Sequence, residues 1–354
     1  MKKLKLFECY AGYGGASFAL QKANISFECV GYSEIDKRQI RIYEQNHKGV
    51  KNYGDITKIN PEELPDFDLI TGGFPCQDVS IAGLRDLKKG RTTSVFKMLD
   101  IIAVKKPKYC LLENVEGILS MHNGELIREI VRVLKSYGYA VSYQLLKSKD
   151  YGTPQNRPRV WIACELGRSH FMFNPFPPKE ELKLFVSDLL EKDVDSSYYL
   201  NQTQIERVLR RSEIRGKPLG IRINPQVSNT LNAQSPLSTP ADTIFIHSNI
   251  AGTITSGDYS HCNVHNQFLV DTYNHKIIDN GISPTLPDLN HNTLKVIENM
   301  RLRTLTPKEC FRLMGFFNDE INLDGIPKTN AYFSAGNGWD VNLVSKIFKY
   351  WLKQ

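Results

Sequence analysis

Up to about residue 165 the chain alternates short apolar runs with amphipathic segments, and this alternation constrains the fold more tightly than any other feature. Residues 4–9, 27–32, 68–71 and 109–112 read as strands. Between them, residues 16–23, 38–46, 95–104 and 126–137 carry helical periodicity, the last closed by Gly138 as a helix stop. Strands that alternate with helices of this length form βαβ units, because parallel neighbours need a crossover that covers the sheet. The prediction is an α/β fold on a mostly parallel, Rossmann-like sheet. Residues 141–146 and 160–164 predict a terminal antiparallel pair.

After Phe171 the texture changes. Pro175, Pro177 and Pro178 mark a boundary, residues 202–211 read as one helical patch, and short β-like pieces follow, separated by Asn, Ser, Gly and Pro. Three of these pieces, at 228–232, 251–255 and 283–286, read either as a degenerate repeat or as short Thr-rich strands that resemble one another by chance. A capped helix begins at Thr306, with Pro307 at its first position and Glu309 in its first turn, and residues 338–352 read as the last helix. The expected organisation is a first unit over 1–170, completed by 300–354, with a smaller, irregular β-rich unit over 171–299.

At 354 residues the chain has ample apolar content for such a core. It has seven cysteines and no Cys-x-x-Cys pair, and no His/Cys cluster has zinc-ligand spacing, so a reduced, metal-free protein is expected. Met1-Lys2-Lys3-Leu4-Lys5 could begin a signal peptide, but Glu8 and a glycine turn interrupt the apolar core, and no later stretch is long enough to span a bilayer. A cytoplasmic location follows as the expectation. The net charge of +7 fits a polyanionic partner without requiring one. Its placement is more informative: Arg85, Lys88, Lys89 and Arg91 share a segment with Cys76, and Arg207, Arg210, Arg211, Arg215, Lys217 and Arg222 form a second cluster.

Cys76 follows the apolar run 67–70 and the turn Gly72-Gly73-Phe74-Pro75, at the carboxyl end of a predicted strand. Ligands of open α/β sheets bind along that edge, so this thiol is placed for chemistry, whereas Cys9, Cys29 and Cys110 lie within apolar runs and read as inert. The turn Gly12-x-Gly14-Gly15 between a strand and a helix lets a ligand approach the backbone. A dinucleotide fingerprint would place a third glycine where Ser17 stands, which counts against nicotinamide or flavin. Glu34, after the second strand, could accept hydrogen bonds from ribose hydroxyls, as any adenosine cofactor would require.

The order and spacing of Tyr10-Ala11-Gly12-Tyr13-Gly14-Gly15, Phe74-Pro75-Cys76-Gln77, Glu113-Asn114-Val115, Gln155-Asn156-Arg157-Pro158-Arg159 and Gly336-Asn337 resemble the DNA (cytosine-5-)-methyltransferase family. Residues 304–316 are similar to a late structural motif of that family. The resemblance covers about residues 1–165 and 300–350. It implies a methyltransferase sheet that binds S-adenosylmethionine, joined to a target-recognition unit. The implied cofactor set is Tyr10, Ala11, Gly12, Gly14, Gly15, Glu34, Ile35, Asp55, Ile56, Pro75, Asn337 and Gly338, with Glu34 on the ribose, Asp55 at the adenine amino group and Tyr10 near the methionine portion. Four positions depart from the family pattern. Ile35 stands where an aromatic is common, Tyr10 replaces Phe, and Gly336-Asn337-Gly338-Trp339 replaces Gly-Asn-Ser-Val, which removes a hydroxyl.

Methylating carbon 5 of cytosine requires breaking ring aromaticity by adding a nucleophile at carbon 6, for which a thiolate is suited. The resemblance gives Cys76 that role. It makes Glu113 the acid at nitrogen 3, and Arg159 with Arg157 the donors that hold the pyrimidine oxygen and steady the cysteine. In duplex DNA the target must leave the stack, at a cost of about a few kcal/mol, and the glycine-bearing basic segment 80–93 is the candidate to close over it. The implied partners are double-stranded DNA and a cognate restriction endonuclease acting on the same site, with the chain itself a monomer. The alternatives are an RNA (tRNA) methyltransferase of the same superfamily, an inactive DNA-binding relative and, from the glycine turn and Glu34 alone, a nicotinamide-dependent oxidoreductase.

Overall fold

The computed structural model describes residues 3–75, 94–169, 171, 173–199, 201 and 302–353, and short strands between 222 and 297. A six-stranded sheet forms its centre. In chain order the first elements are β1 (Leu4–Cys9), α1 (Gly15–Lys22), β2 (Phe27–Ser33), α2 (Lys37–Asn46), β3 (Leu69–Gly73), α3 (Ser94–Lys105), β4 (Tyr109–Val115), α4 (Glu125–Ser136), β5 (Tyr139–Lys147), β6 (Gln155–Asn156) and β7 (Pro158–Leu166). The strand order is β2-β1-β3-β4-β7-β5. β1 pairs in parallel with β2 and β3, and β3 with β4, while β7 runs antiparallel to both β4 and β5. The expected α/β sheet and its antiparallel end are both present.

The helices start and stop for local reasons. Asp36 caps α2 through the Arg38 amide, and α4 ends at Gly138 with φ +93°. Thr306 and Glu309 form a reciprocal capping box for α5 (Pro307–Arg312), as the Pro-x-Glu spacing predicts. The expected last helix over 338–352 is shorter than its sequence suggests. Asp340 accepts from the Asn342 and Leu343 amides, so α7 begins at Val341 and runs to Trp351. A separate helix, α6 (Lys328–Asn337), precedes it, and residues 338–340 form the connection.

Two apolar cores lie against the sheet. One joins β1 and α1 to α5, α6 and α7 and includes Tyr13, Phe18, Trp161, Phe311, Phe316 and Phe348; the other joins β3 and β4 to α3 and α4. The C-terminal helices thus pack in the same core as β1 and α1. Phe173, Phe176, Val186 and Leu189 also belong to the first core, so the chain stays with the sheet well past residue 171. Arg303 and Glu309, both buried, make a two-armed ion pair with both contacts at 2.8 Å, and Glu309 also accepts from the Glu191 amide. Between residues 202 and 301 only short strands are described, among them Ser228–Asn229, which pairs with β6. The patch at 202–211, the pieces at 251–255 and 283–286, segment 80–93 and nearly all of the second basic cluster lie outside the described residues. No helix among the described residues is long and apolar enough to cross a membrane.

Candidate active site

The carboxyl ends of β1, β2, β3 and β4 lie along one edge of the sheet. Connections leave β1 toward β2 on one side, and the chain returns to β3 on the other, so a crevice opens at this switch point. A cleft open to solvent occupies it. Its wall includes Tyr10, Ala11, Gly12 and Gly15 of the first turn, Gly73 and Glu113 from the ends of β3 and β4, and Asn337, Gly338 and Trp339 from the α6–α7 connection.

Glu8 organises the glycine turn. It is buried at the end of β1, where its carboxylate accepts from the amides of Ala16 (3.1 Å) and Ser17 (3.2 Å), the Ser17 hydroxyl and the Tyr43 hydroxyl. α1 has no side-chain cap of its own, so Glu8 takes the anion position at its N-terminus. A ligand anion must therefore find its partners elsewhere on the turn. A carboxylate inside the run Leu-Phe-Glu-Cys was the sequence signal for this role, since such a group is buried only when paired. Gly14 does not line the cleft: its φ is +88°, and a Cβ there would lie 2.3 Å from His47 Nε2. That nitrogen donates to the Tyr13 carbonyl at 3.2 Å, and burial holds the His47 pKa below its ordinary value.

At the end of β2, Glu34 Oε2 accepts from the Gly12 amide (3.0 Å), and Oε1 from Ile35 (2.8 Å) and Asp36 (2.9 Å). Three of the roughly four acceptor positions of the carboxylate are thus taken, and the group is fixed beside the turn. Ile35 next to it is 69% exposed, an apolar face with no covering from the described residues. Asn52 bridges to the Glu34 backbone, and Ser33 Oγ donates to the Gly54 carbonyl at 2.6 Å, which brings Asp55 to the same edge. Asp55 caps a short 3-10 turn through Thr57, and those hydrogen bonds lower its pKa. Ile56 is buried in the second core, so its side chain does not face this edge.

At the other end of the cleft, Glu113 Oε1 meets Arg159 Nε at 2.9 Å, with the two side chains 13% and 14% exposed. They meet because β7 is antiparallel to β4, which brings the first residues of β7 to the carboxyl edge, with Arg159 opposite Val115. Glu113 Oε2 lies over Gly73, 2.8 Å from where a Cβ would stand. Asn114 donates to the Phe74 carbonyl at 2.9 Å and ties the next turn to β4. Pro75 is exposed at this edge, and Cys76, which follows it in sequence, lies outside the described residues. The described cysteines do not compete for a nucleophile's role: burial raises the pKa of Cys9, Cys164 and Cys310 and pushes Cys29 up to about 12.

Arg157 takes a different place from Arg159. Its guanidinium is buried and donates to the carbonyls of Gly336 (3.2 Å) and Gly338 (2.7 Å), so it braces the α6–α7 connection rather than facing the cleft. Burial, with Arg159 nearby, pulls its pKa down to about 9, which leaves it charged at neutral pH. Tyr13 braces the same connection: its hydroxyl donates to the Trp339 carbonyl, and its ring packs against Phe311 and Phe316. Tyr13 did not stand out in the sequence, because nothing local distinguishes it from an ordinary core aromatic, and Trp339 stood out only as a departure from the family pattern.

The family model for C-5 cytosine-specific DNA methylase matches residues 4–353. The chain is 28% identical to the type II methyltransferase M.NlaIV of Neisseria lactamica, with 98% of each chain covered. It is 25% identical to the orphan methyltransferase M.SPRI of Bacillus phage SPR, over 99% of this chain and 97% of that one. Among solved structures, the Dnmt2 methyltransferase of S. pombe superposes with a TM-score of 0.71, at 20% identity and 99% coverage of both chains.

Proposed function

The chain belongs to the C-5 cytosine-specific DNA methylase family and is a DNA methyltransferase; from that premise we propose that it methylates carbon 5 of a cytosine in a short double-stranded DNA sequence, through a transient bond from Cys76 to carbon 6. The observation that carries this reading is the Glu113–Arg159 pair over Gly73, at the edge where β3 leads into Pro75 and Cys76.

S-adenosylmethionine, when bound, supplies an electrophilic methyl group on a sulfonium sulfur. The cleft suits it in chemistry: glycines at 12 and 15 admit a ligand to the backbone, Glu34 offers its remaining acceptor position to a ribose hydroxyl, and exposed Ile35 offers an apolar face to an adenine. In this reading Asp55 keeps one oxygen for its turn. The other makes only a 4.0 Å approach to Lys58 and can accept from an adenine amino group.

The Cys76 thiolate adds to carbon 6 of an extruded cytosine. Glu113, acting as the neutral acid, donates a proton to nitrogen 3 as negative charge builds in the ring and recovers it when Cys76 leaves, and Arg159 holds Glu113 in place while its remaining donors reach the ring carbonyl. Carbon 5 then takes the methyl group, loss of its proton restores the ring, and Cys76 leaves as thiolate. Arg157 contributes as a positioning residue through the carbonyls of Gly336 and Gly338. We assign target recognition to about residues 202–301 and propose a cytoplasmic monomer. A restriction endonuclease of the same specificity fits the relatives named type II.

The test is covalent trapping. A pool of duplexes carrying 5-fluorocytosine, incubated with S-adenosylmethionine, is expected to give a denaturant-stable complex whose modified peptide spans residue 76, and Cys76→Ser to give none. Methyl incorporation into DNA by the wild type without any trapped complex refutes the covalent route. Incorporation into tRNA but not DNA refutes the assigned substrate.

A further inference from the structure

Trp339 stands where the family pattern has a small aliphatic residue, and its indole crosses the cleft between the two halves of the site. At one end, a Cβ on Gly15, the first residue of α1, would lie 3.1 Å from Trp339 Cβ. At the other, a Cβ on Gly73 would lie 3.1 Å from Trp339 Nε1 and 2.8 Å from Glu113 Oε2. Trp339 Nε1 and Glu113 Oε2 therefore both lie against the same carbon position on Gly73, the residue that joins the glycine-turn half of the cleft to the Glu113–Arg159 half.

The ring is held there from several directions. Trp161, 1% exposed, packs edge-on against it at 4.9 Å and 76°. The Trp339 carbonyl accepts from the Tyr13 hydroxyl, and Arg157 pins the carbonyls of Gly336 and Gly338 just before it. Gly338 itself is required by this packing: a Cβ there would fall 1.9 Å from Tyr13 Cε1. A fixed indole of this size restricts what can pass over Gly73, because a close-packed wall yields little to one extra carbon.

We propose that Trp339 is a specificity-determining residue of the donor cleft, limiting the group transferred over Gly73 to one the size of a methyl. The proposal rests on the S-adenosylmethionine reading above and extends it to a residue particular to this chain. The three tryptophans of the chain make it testable without turnover. S-adenosylhomocysteine titrated into the wild type is expected to change tryptophan emission. In Trp339→Phe the change should disappear, while calorimetry still reports binding within about threefold.

In a second arm, transfer to DNA is compared between S-adenosylmethionine and an analogue bearing a three-carbon alkynyl group on sulfur. Trp339→Ala should raise the analogue-to-methyl ratio by about tenfold or more, the scale on which pockets discriminate single methylenes. Such a gain cannot come from partial unfolding. An emission change that persists in Trp339→Phe, or an unchanged ratio in a folded Trp339→Ala, overturns the proposal. Absence of S-adenosylhomocysteine binding to the wild type would instead bring down the donor reading on which it rests.

Discussion

Adding a single carbon at Gly338 should destabilise the α6–α7 connection, even though its backbone would accept any residue. Gly338 has φ −81° and ψ 179°, so no left-handed conformation is at stake. The obstacle is Tyr13, whose Cε1, Cζ and hydroxyl would lie 1.9, 2.5 and 2.7 Å from the new Cβ. That ring is 1% exposed and wedged by Phe311 and Phe316 at centroid distances of 5.4 and 5.6 Å, so it cannot swing aside. Overpacking of this kind costs about 1–3 kcal/mol, and a shifted ring also forfeits the bond to the Trp339 carbonyl, for about 1 kcal/mol more. Gly338→Ala should therefore lose about 2–4 kcal/mol, or about 3–5 °C in a thermal melt. The second half of the test is Tyr13→Leu, which removes the colliding atoms. Alone it costs stability through the emptied volume, but combined with Gly338→Ala it should cost about 1–3 kcal/mol less than the two changes added together. Urea denaturation of the four proteins measures this coupling. A Gly338→Ala protein as stable as the wild type, or a strictly additive double variant, would refute the claim that the two positions are fitted to each other.

The two arginines of the Arg-Pro-Arg segment should separate by assay. Arg157→Met leaves two buried carbonyls unpaired and is expected to lower stability by about 2–4 kcal/mol. Arg159→Ala, at the rim of the cleft, should leave the melting curve nearly in place while methyl transfer falls about 100-fold or more; equal losses of stability in both would contradict the assignment. His47 should give stability a pH dependence. Its folded pKa lies below its unfolded value, which is about 6.5, so its contribution is present above pH 6.5 and is lost as pH falls from there toward the folded pKa. Melts between pH 7.5 and 5.5 should fall more steeply for the wild type than for His47→Gln, and parallel curves would count against this role.

Residues on neighbouring turns or alternating faces determined much of the fold without reference to distant partners. The 3.6-residue and two-residue periodicities over 4–166 fixed the sequence of strands and helices, because each element's buried face is encoded in consecutive residues. Thr306-Pro307-x-Glu309 likewise specified its own capping box, and Gly138 its own helix stop. The end of α6 escaped this reading because the Asp340 cap and the tight connection before it depend on Arg157 and Tyr13, both far away in the chain.

Only tertiary structure decided which site residues meet. Arg157 and Arg159 are two apart, a spacing that in one continuous strand would put both on the same face. The break between β6 and β7 turns the first inward onto Gly336 and Gly338, and the antiparallel pairing of β7 with β4 carries the second to Glu113. Glu8 could be seen to be a misplaced charge but not the cap of α1, and Trp339 could be seen to be an unusual residue but not the bridge between the two halves of the cleft. Periodicity is a property of neighbours in the chain, whereas these contacts depend on where the sheet sends residues tens or hundreds of positions apart, and that is settled only when the whole core packs.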